Sequence, residues 1–558
     1  MRKILLCASV ALLFAGCAKE NIIPAEGNDT QKGDITLSFT ASQAGFGTKA
    51  VIGNTTTDGE GHKSTAINWQ STDKISVFDG ASKNCLFSTK DFSTEAANCT
   101  FEGNVTVPKT DYTAVYPYTA AASINETGVI SGITLPATQT AVEGSFDTKA
   151  ALMAAKTVKG GRNLSFQNLV GYVKVTTDFA CTKIELQAAS KEALAGKGTI
   201  TFTDGTPVFT LGEGAATAIA LEGTIAEGKT YYIAVPAQTL AAGWSISFTA
   251  TDSKVYKREG TKPIEFKRNT VLNLGTVKQE DFLPYVTFSA ESEQTFRWKF
   301  CEDFGAFKFG QDEGFEYRLG YGEWKKIETS EDNQATFGNG TILQIRGISS
   351  RGTSGPLIQH GYIEYYSTIS FGNDTKVACS GDIRTLVNYK DYKNAKTSEA
   401  RFIYLFDNCS QLTSAPDLPA TELAIWCYYY MFAGCSSLES APALPATTLA
   451  LECYSGMFYK CKNIASSIEL PAEIMYSGCY QYIFDGCESL KEITVKAKYL
   501  QDYVGKIELS KISDDRLFEN FGYWLPDDHT GTVHCTQELN SLLSQYPDYK
   551  YGWTVTVL

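Results

Sequence analysis

Few side chains in this chain of 558 residues are of the types that do acid–base or nucleophilic chemistry, and their spacing gives them little to work with. There are four histidines, His62, His360, His529 and His534. His62 lies in the turn-like run Thr57-Asp58-Gly59-Glu60-Gly61-His62-Lys63, and His529 follows Asp527 and Asp528, a grouping that could hold a metal or shuttle a proton. Loop polarity explains both more simply. No Gly-x-Ser-x-Gly elbow, phosphate-cradling Gly-Lys-Ser/Thr loop or His-Glu-x-x-His helix occurs. Carboxylates number 62, so a glycosidase-like pair brought together only in space stays open. The expectation is no catalytic residue, no metal and no cofactor.

Fifteen cysteines are the other reactive stock. Zinc favours close pairs such as Cys-x-x-Cys, and none is present. Seven cysteines instead keep step with one another. Cys409, Cys435, Cys461 and Cys487 are each 26 residues apart (435−409, 461−435, 487−461), and Cys427, Cys453 and Cys479 repeat that interval. A shared phrase travels with them: Leu405-Phe406-x-x-Cys409, Met431-Phe432-x-x-Cys435, Met457-Phe458-x-x-Cys461 and Ile483-Phe484-x-x-Cys487, with Leu-Pro-Ala between at Leu418, Leu444 and Leu470. A fixed period of this length marks stacked coils, each too small to bury its apolar face alone. Equivalent residues of successive coils then lie about 5 Å apart, within disulfide reach. A buried free thiol serves equally well as a small apolar filler, and that is the preferred reading.

Within a unit, Leu423, Cys427 and Met431 stand at i, i+4 and i+8, as do Leu449, Cys453 and Met457, and Met475, Cys479 and Ile483. The spacing predicts a short helix, ending where Asn408, Gly434 and Gly486 tolerate a left-handed backbone; Lys460 breaks that pattern. Tyr428, Tyr454 and Tyr480 form a second stripe expected to stack as a structural ladder. Tyr429, Tyr430, Tyr459 and Tyr482 lie beside it and are the candidate ligand-binding residues, because a ring with a polar tip suits protein interfaces and sugar stacking.

This wording, with MFAGCSSLESAPALPATTLALECYSGMF at its centre, resembles the leucine-rich repeats of the BspA-like surface proteins of Gram-negative anaerobes, over residues 399–495. The resemblance implies a surface-exposed adhesion module that contacts host proteins or other cells. It carries no ligand onto named residues.

The amino terminus has Arg2 and Lys3, an apolar run from Ile4 to Ala15, then Gly16-Cys17. That run is too short to span a bilayer and fits a lipoprotein signal, with Cys17 the site of lipid attachment. Residues 17–33 read as a flexible tether. The expected place is the outer membrane, lipid-anchored and facing the cell exterior.

From residue 34 to about 280 the pattern alternates, as in Ile35-Thr36-Leu37-Ser38-Phe39, Tyr172-Val173-Lys174-Val175 and Trp244-Ser245-Ile246-Ser247-Phe248. The phrases INWQSTDKISVFDG, YTAVYPY, LSFQNLVGYVKV and GKTYYIAVPAQ resemble the fimbrillin family, which implies two tandem β-sandwiches, set here at 34–160 and 161–280. Some fimbrillins mature by cleavage after an arginine near the first strand. No arginine occurs between Cys17 and Arg162, which favours a standing adhesin over a polymerising subunit.

Residues 281–398 read as a small β domain covering one end of the solenoid, and 496–558 as a cap on the other. The whole is expected to be mainly β and multidomain, with short helices in the repeats. Net charge is −13, and residues 399–495 carry 4 basic against 11 acidic residues, hence −7. Nucleic acid is therefore an unsuited partner. The expected partner is a host or bacterial surface protein, with a glycan or a fimbria as alternatives.

Overall fold

Alternation of apolar and polar side chains builds the first half of the chain. Asn163–Asn168 buries Leu164, Phe166 and Asn168 and turns the residues between them outward, the two-residue period of a strand with one wetter face. It pairs in parallel with Ile35–Gln43, which pairs antiparallel with Cys99–Val105. Together with Met153–Lys156, Thr113–Tyr116, Lys74–Phe78 and Asn84–Lys90 these strands close a seven-stranded barrel. Trp69 fills it, edge-on to Phe101, Tyr116 and Phe166 at 5.2–5.4 Å. The barrel takes a strand from beyond residue 160, where sequence alone divides the first two β units. A parallel partner arrives through a long crossover, so its place cannot be read from local pattern.

The computed structural model describes residues 34–43, 51–57, 63–90, 96, 98–301, 312–329, 333–355, 365–501, 505–512, 524–527, 530–550 and 552–558. Cys17, the whole of the expected tether, and His62, His360 and His529 lie outside them. Among the described residues no helix is long and apolar enough to cross a membrane.

A second β unit pairs Thr138–Thr140, Ala218–Ile225, Cys181–Ala188, Trp244–Ala250 and Val255–Gly260 in one sheet, and Thr230–Pro236, Val170–Thr177 and Val271–Val277 in another. Its core is continuous with that of the barrel, running from Phe39 to Val277. A third unit has a five-stranded sheet containing Leu343–Ile348 and a three-stranded one centred on Gln294–Phe300, with Trp298 and Phe315 packed at 5.0 Å. This third core runs without a break into the repeats and on to Trp553.

Between the two cores stands a buried ionic joint. Asp281, in the short turn Gln279–Phe282, pairs with Arg258 of the second unit and with Arg318 of the third at 2.5 Å. Arg346 pairs with Glu316 at 2.7 Å and Glu280 at 3.3 Å, its guanidinium lying 4.0 Å from the Trp324 ring and 4.1 Å from that of Tyr389.

The repeats form a stack of coils, but the expected short helices are absent from them. Each N–H of Phe402, Tyr404, Phe406 and Asn408 donates to the next coil, at Cys427, Tyr429, Met431 and Ala433. The N–H groups between, of Leu405, Asp407 and Cys409, donate three residues back. The same alternation continues through the later coils, so the segment is a ladder of overlapping turns that is hydrogen-bonded from coil to coil like a sheet. Its period is four residues. Leu423–Ala424, Cys427–Tyr428 and Met431–Phe432 are buried in pairs, and Ile425–Trp426 and Tyr429–Tyr430 between them are not. Inside, Phe406, Phe432, Phe458 and Phe484 stack face to face at 5.3–6.0 Å, tilted by no more than 7°.

On the other side of the coils, Ile468–Leu470, Glu492–Val495, Thr532–Cys535 and Thr554–Val557 form a parallel sheet. The third β unit covers the first coil, with Phe288 against Phe406 at 6.2 Å and the Ile369 N–H donating to Leu405. The far end carries the helix Gln537–Gln545, capped by the Thr536 hydroxyl and burying Leu539, Leu542 and Leu543.

Candidate functional site

The in-phase cysteines face inward as free thiols. Cys409, Cys435, Cys461 and Cys487 donate S–H to the carbonyls of Ile369, Phe406, Phe432 and Phe458 at 2.9–3.1 Å, one rung per coil. Cys427, Cys453 and Cys479 are buried too, and burial pushes the Cys453 thiol up to about 12, so it is a poor nucleophile. Among the described residues no group of three or more His, Cys, Asp and Glu is placed to hold a metal. His534 is held at both ring nitrogens, by Glu492 at 2.8 Å and Thr556 at 2.6 Å.

Tyr428, Tyr454 and Tyr480 are at most 2% exposed and stack at 5.8 and 6.2 Å inside the coils. Tyr429, Tyr430, Tyr459 and Tyr482 sit elsewhere, half-buried along the turn face. There they meet three residues that sequence reasoning did not single out: Tyr366, Tyr404 and Trp426. Tyr404 touches Tyr366, Tyr429 and Tyr430 at 5.1, 5.6 and 5.8 Å; Tyr429 touches Tyr430 at 4.8 Å and Trp426 at 6.4 Å; Tyr430 reaches Tyr459 at 5.9 Å. The result is one aromatic strip running across the coils.

The backbone explains how these rings are presented. The turn ladder needs a left-handed residue every fourth position, and Gly434, Gly456, Gly478 and Gly486 supply it without strain. Tyr404, Trp426, Tyr430, Glu452 and Tyr482 occupy the same kind of position, at φ of 48–57°. For an L residue that conformation costs about 1 kcal/mol or more. Glycines one coil on make room for them: a Cβ on Gly456 would lie 2.4 Å from the Tyr430 ring, and one on Gly478 would lie 2.7 Å from Glu452 Cγ. Tyr404, Tyr430 and Tyr482 share one column, 26 and 52 residues apart (430−404, 482−430), with Gly456 as its gap. That column is legible in the sequence.

Carboxylates are interleaved with the rings. Asp407 and Glu452 are half-buried, and burial holds both above the ordinary carboxylate range, with the Asn408 amide and the Trp426 indole respectively drawing them back down. Neither forms an ion pair among the described residues. Burial pushes the Tyr430 phenol up to about 12, helped by the fields of Tyr429, Tyr482, Tyr459 and Asp485. The Tyr430 phenol therefore stays a neutral donor at physiological pH. Such a strip can bind; its groups lack the geometry of a nucleophile and base.

No protein family profile matches the chain, and no curated protein matches it either. Among solved structures, a candidate cell adhesion protein from Bacteroides uniformis ATCC 8492 is 17% identical over 38% of this chain and 88% of its own, with a TM-score of 0.28. A fimbrial protein from Bacteroides ovatus ATCC 8483 is 12% identical over 46% and 52%, with a TM-score of 0.22. The tip fimbrial protein Mfa3 of Porphyromonas gingivalis, truncated at its C-terminus, is 12% identical over 56% and 100%, with a TM-score of 0.17. Likeness at these scores is too slight to carry a function across.

Proposed function

We propose that this chain is a non-enzymatic cell-surface adhesin. In this reading a leucine-rich-repeat solenoid of the BspA-like kind stands on fimbrillin-like β units, lipid-anchored through Cys17 in the outer membrane. Its turn face grips a protein of the host or of a neighbouring cell. The observation that carries the reading is the set of large side chains, Tyr404, Trp426, Tyr430, Glu452 and Tyr482, kept at left-handed positions where glycine would be relaxed. The rings pack on one another at 4.8–5.9 Å, which offsets part of that strain, and a contact surface gives a reason to keep the remainder.

The test uses the same strain. Tyr404→Gly and Tyr430→Gly remove rings while easing the backbone, so the coils stay folded. Gram-negative cells displaying the full chain should lose adherence to host or partner cells about tenfold with either variant, as expected for loss of a central aromatic contact. Unchanged adherence with both would refute the reading. A second reading, a glycan-binding lipoprotein, draws support from the same half-buried phenols, which could also hydrogen-bond sugar hydroxyls.

A further inference from the structure

The turn face lacks one thing that the rest of the molecule supplies to similar sites. At the ionic joint, a guanidinium sits between an indole and a phenol with carboxylates at its edge: Arg346 between Trp324 and Tyr389, paired to Glu316 and Glu280. On the turn face, Glu452 is half-buried at a left-handed position in the same column as Trp426, 26 residues on (452−426), and Asp407 is half-buried beside Asn408, whose side-chain amide donates to it at 2.9 Å. The chemical set is that of the joint, but no Lys or Arg of the described residues pairs with either carboxylate. At the edge of the strip Lys460 lies 4.8 Å over the Tyr459 ring, so this surface already accepts an ammonium where the chain provides one. Cations are attracted to ring faces, and half-buried carboxylates without a counter-charge favour one further.

Resting on the adhesin reading, we infer that the turn face takes arginine or lysine side chains of a protein partner, with Glu452 and Asp407 as the pairing carboxylates and Trp426, Tyr404, Tyr429 and Tyr430 as the ring walls. The −7 charge of the repeats draws such a segment in. What favours a cation over a sugar is the half-buried carboxylates interleaved with the rings, since a neutral sugar supplies no counter-charge.

The experiment measures binding of the full chain to a labelled Gly-Arg-Gly-Arg-Gly-Arg peptide, its lysine and glutamate counterparts, and a glycan array. The inference expects the basic peptides to bind, more weakly as salt rises, and the glutamate peptide not to bind. It also expects Glu452→Gln and Asp407→Asn each to weaken binding about tenfold with an unfolding midpoint unchanged or higher. Glu469→Gln, which removes an exposed carboxylate paired with Lys496 on the sheet side, should leave binding as it was. Three results would overturn the inference: no binding of basic peptides, binding indifferent to Glu452 and Asp407, or glycan binding that depends on Tyr430. If adherence still falls in Tyr430→Gly while basic peptides fail to bind, the cationic occupant is wrong and the adhesin reading stands. If adherence is indifferent to Tyr430, the adhesin reading itself is lost.

Discussion

The two hydrophobic cores are built on opposite plans. In the barrel and second β unit, from Phe39 to Val277, local hairpins such as Lys74–Phe78 with Asn84–Lys90 are tied together by pairings between strands far apart in sequence, and the centre is filled once, by different side chains such as Trp69. In the coil stack every layer meets a near copy of itself 26 residues on, and one phenylalanine column is laid down four times. The irregular core can be broken at a point and lost as a whole. The regular one is a sum of neighbours, and its surface can vary freely because its inside is fixed by the repeat. Chemistry on the outside of the coils therefore informs about function in a way that chemistry inside them does not.

The largest test of that contrast is to cut each core separately. Phe432→Ala should cost about 3–5 kcal/mol and lower the unfolding transition of the C-terminal core alone, while Trp69→Ala should do the same to the N-terminal core, as followed by calorimetry with limited proteolysis. Asp281→Asn should cost a comparable 3–5 kcal/mol, because it leaves Arg318, 2% exposed, without its partner in the buried joint. Its signature is different: two transitions that move apart. Coincident transitions in this variant would show that the joint does not couple the cores.

Acid should act on the two regions with opposite sign. Asp79 in the barrel is opposed by burial but held below its usual range by the backbone N–H groups of Ala81, Lys83, Thr106 and Val107 at 2.9–3.2 Å. A carboxyl lowered in the folded state contributes stability above its unfolded value, about pH 4, and that stability is lost as pH falls through the folded value. Glu452 and Asp407 are raised, so they bind protons in the folded state where the unfolded chain has released them. Their effect is a loss of stability as pH rises through the window just above pH 4. Denaturation of Asp79→Asn and Glu452→Gln against pH should flatten slopes of opposite sign.

The smallest effect expected is a gain. Lys460→Gly relieves a left-handed residue at φ 59° and should stabilise the stack by about 0.5–1 kcal/mol in chemical denaturation. A loss of stability would mean that these positions carry no strain.

Much of this was readable from residue types. Alternation in Asn163–Asn168 or Trp244–Ala250 marks strands, and the 26-residue phrase marks stacked units whose cysteines and in-phase tyrosines point inward. The reading of a helix failed for a definite reason. An α-helix advances about 100° per residue and the turn ladder about 90°, so residues at i, i+4 and i+8 differ between them by only about 80° in total. Asn408, Gly434 and Gly486 do hold the left-handed backbone that their types suggest, and so does Lys460, which seemed to break the rule. Tyr404, Trp426 and Glu452 were missed because nothing in a tyrosine, tryptophan or glutamate advertises a positive φ. Only the coil geometry reveals that they hold positions suited to glycine. Parallel closure by Ile35–Gln43 was hidden for the opposite reason, since its partner lies more than a hundred residues away.

The most direct measurement is competition. Soluble full chain added to adhering cells that display the same protein should block adherence. A chain carrying Tyr404→Gly, Tyr430→Gly and Glu452→Gly should fold with an equal or higher midpoint and fail to block. A triple variant that competes as well as the unaltered chain would contradict the claim that the turn face makes the contact.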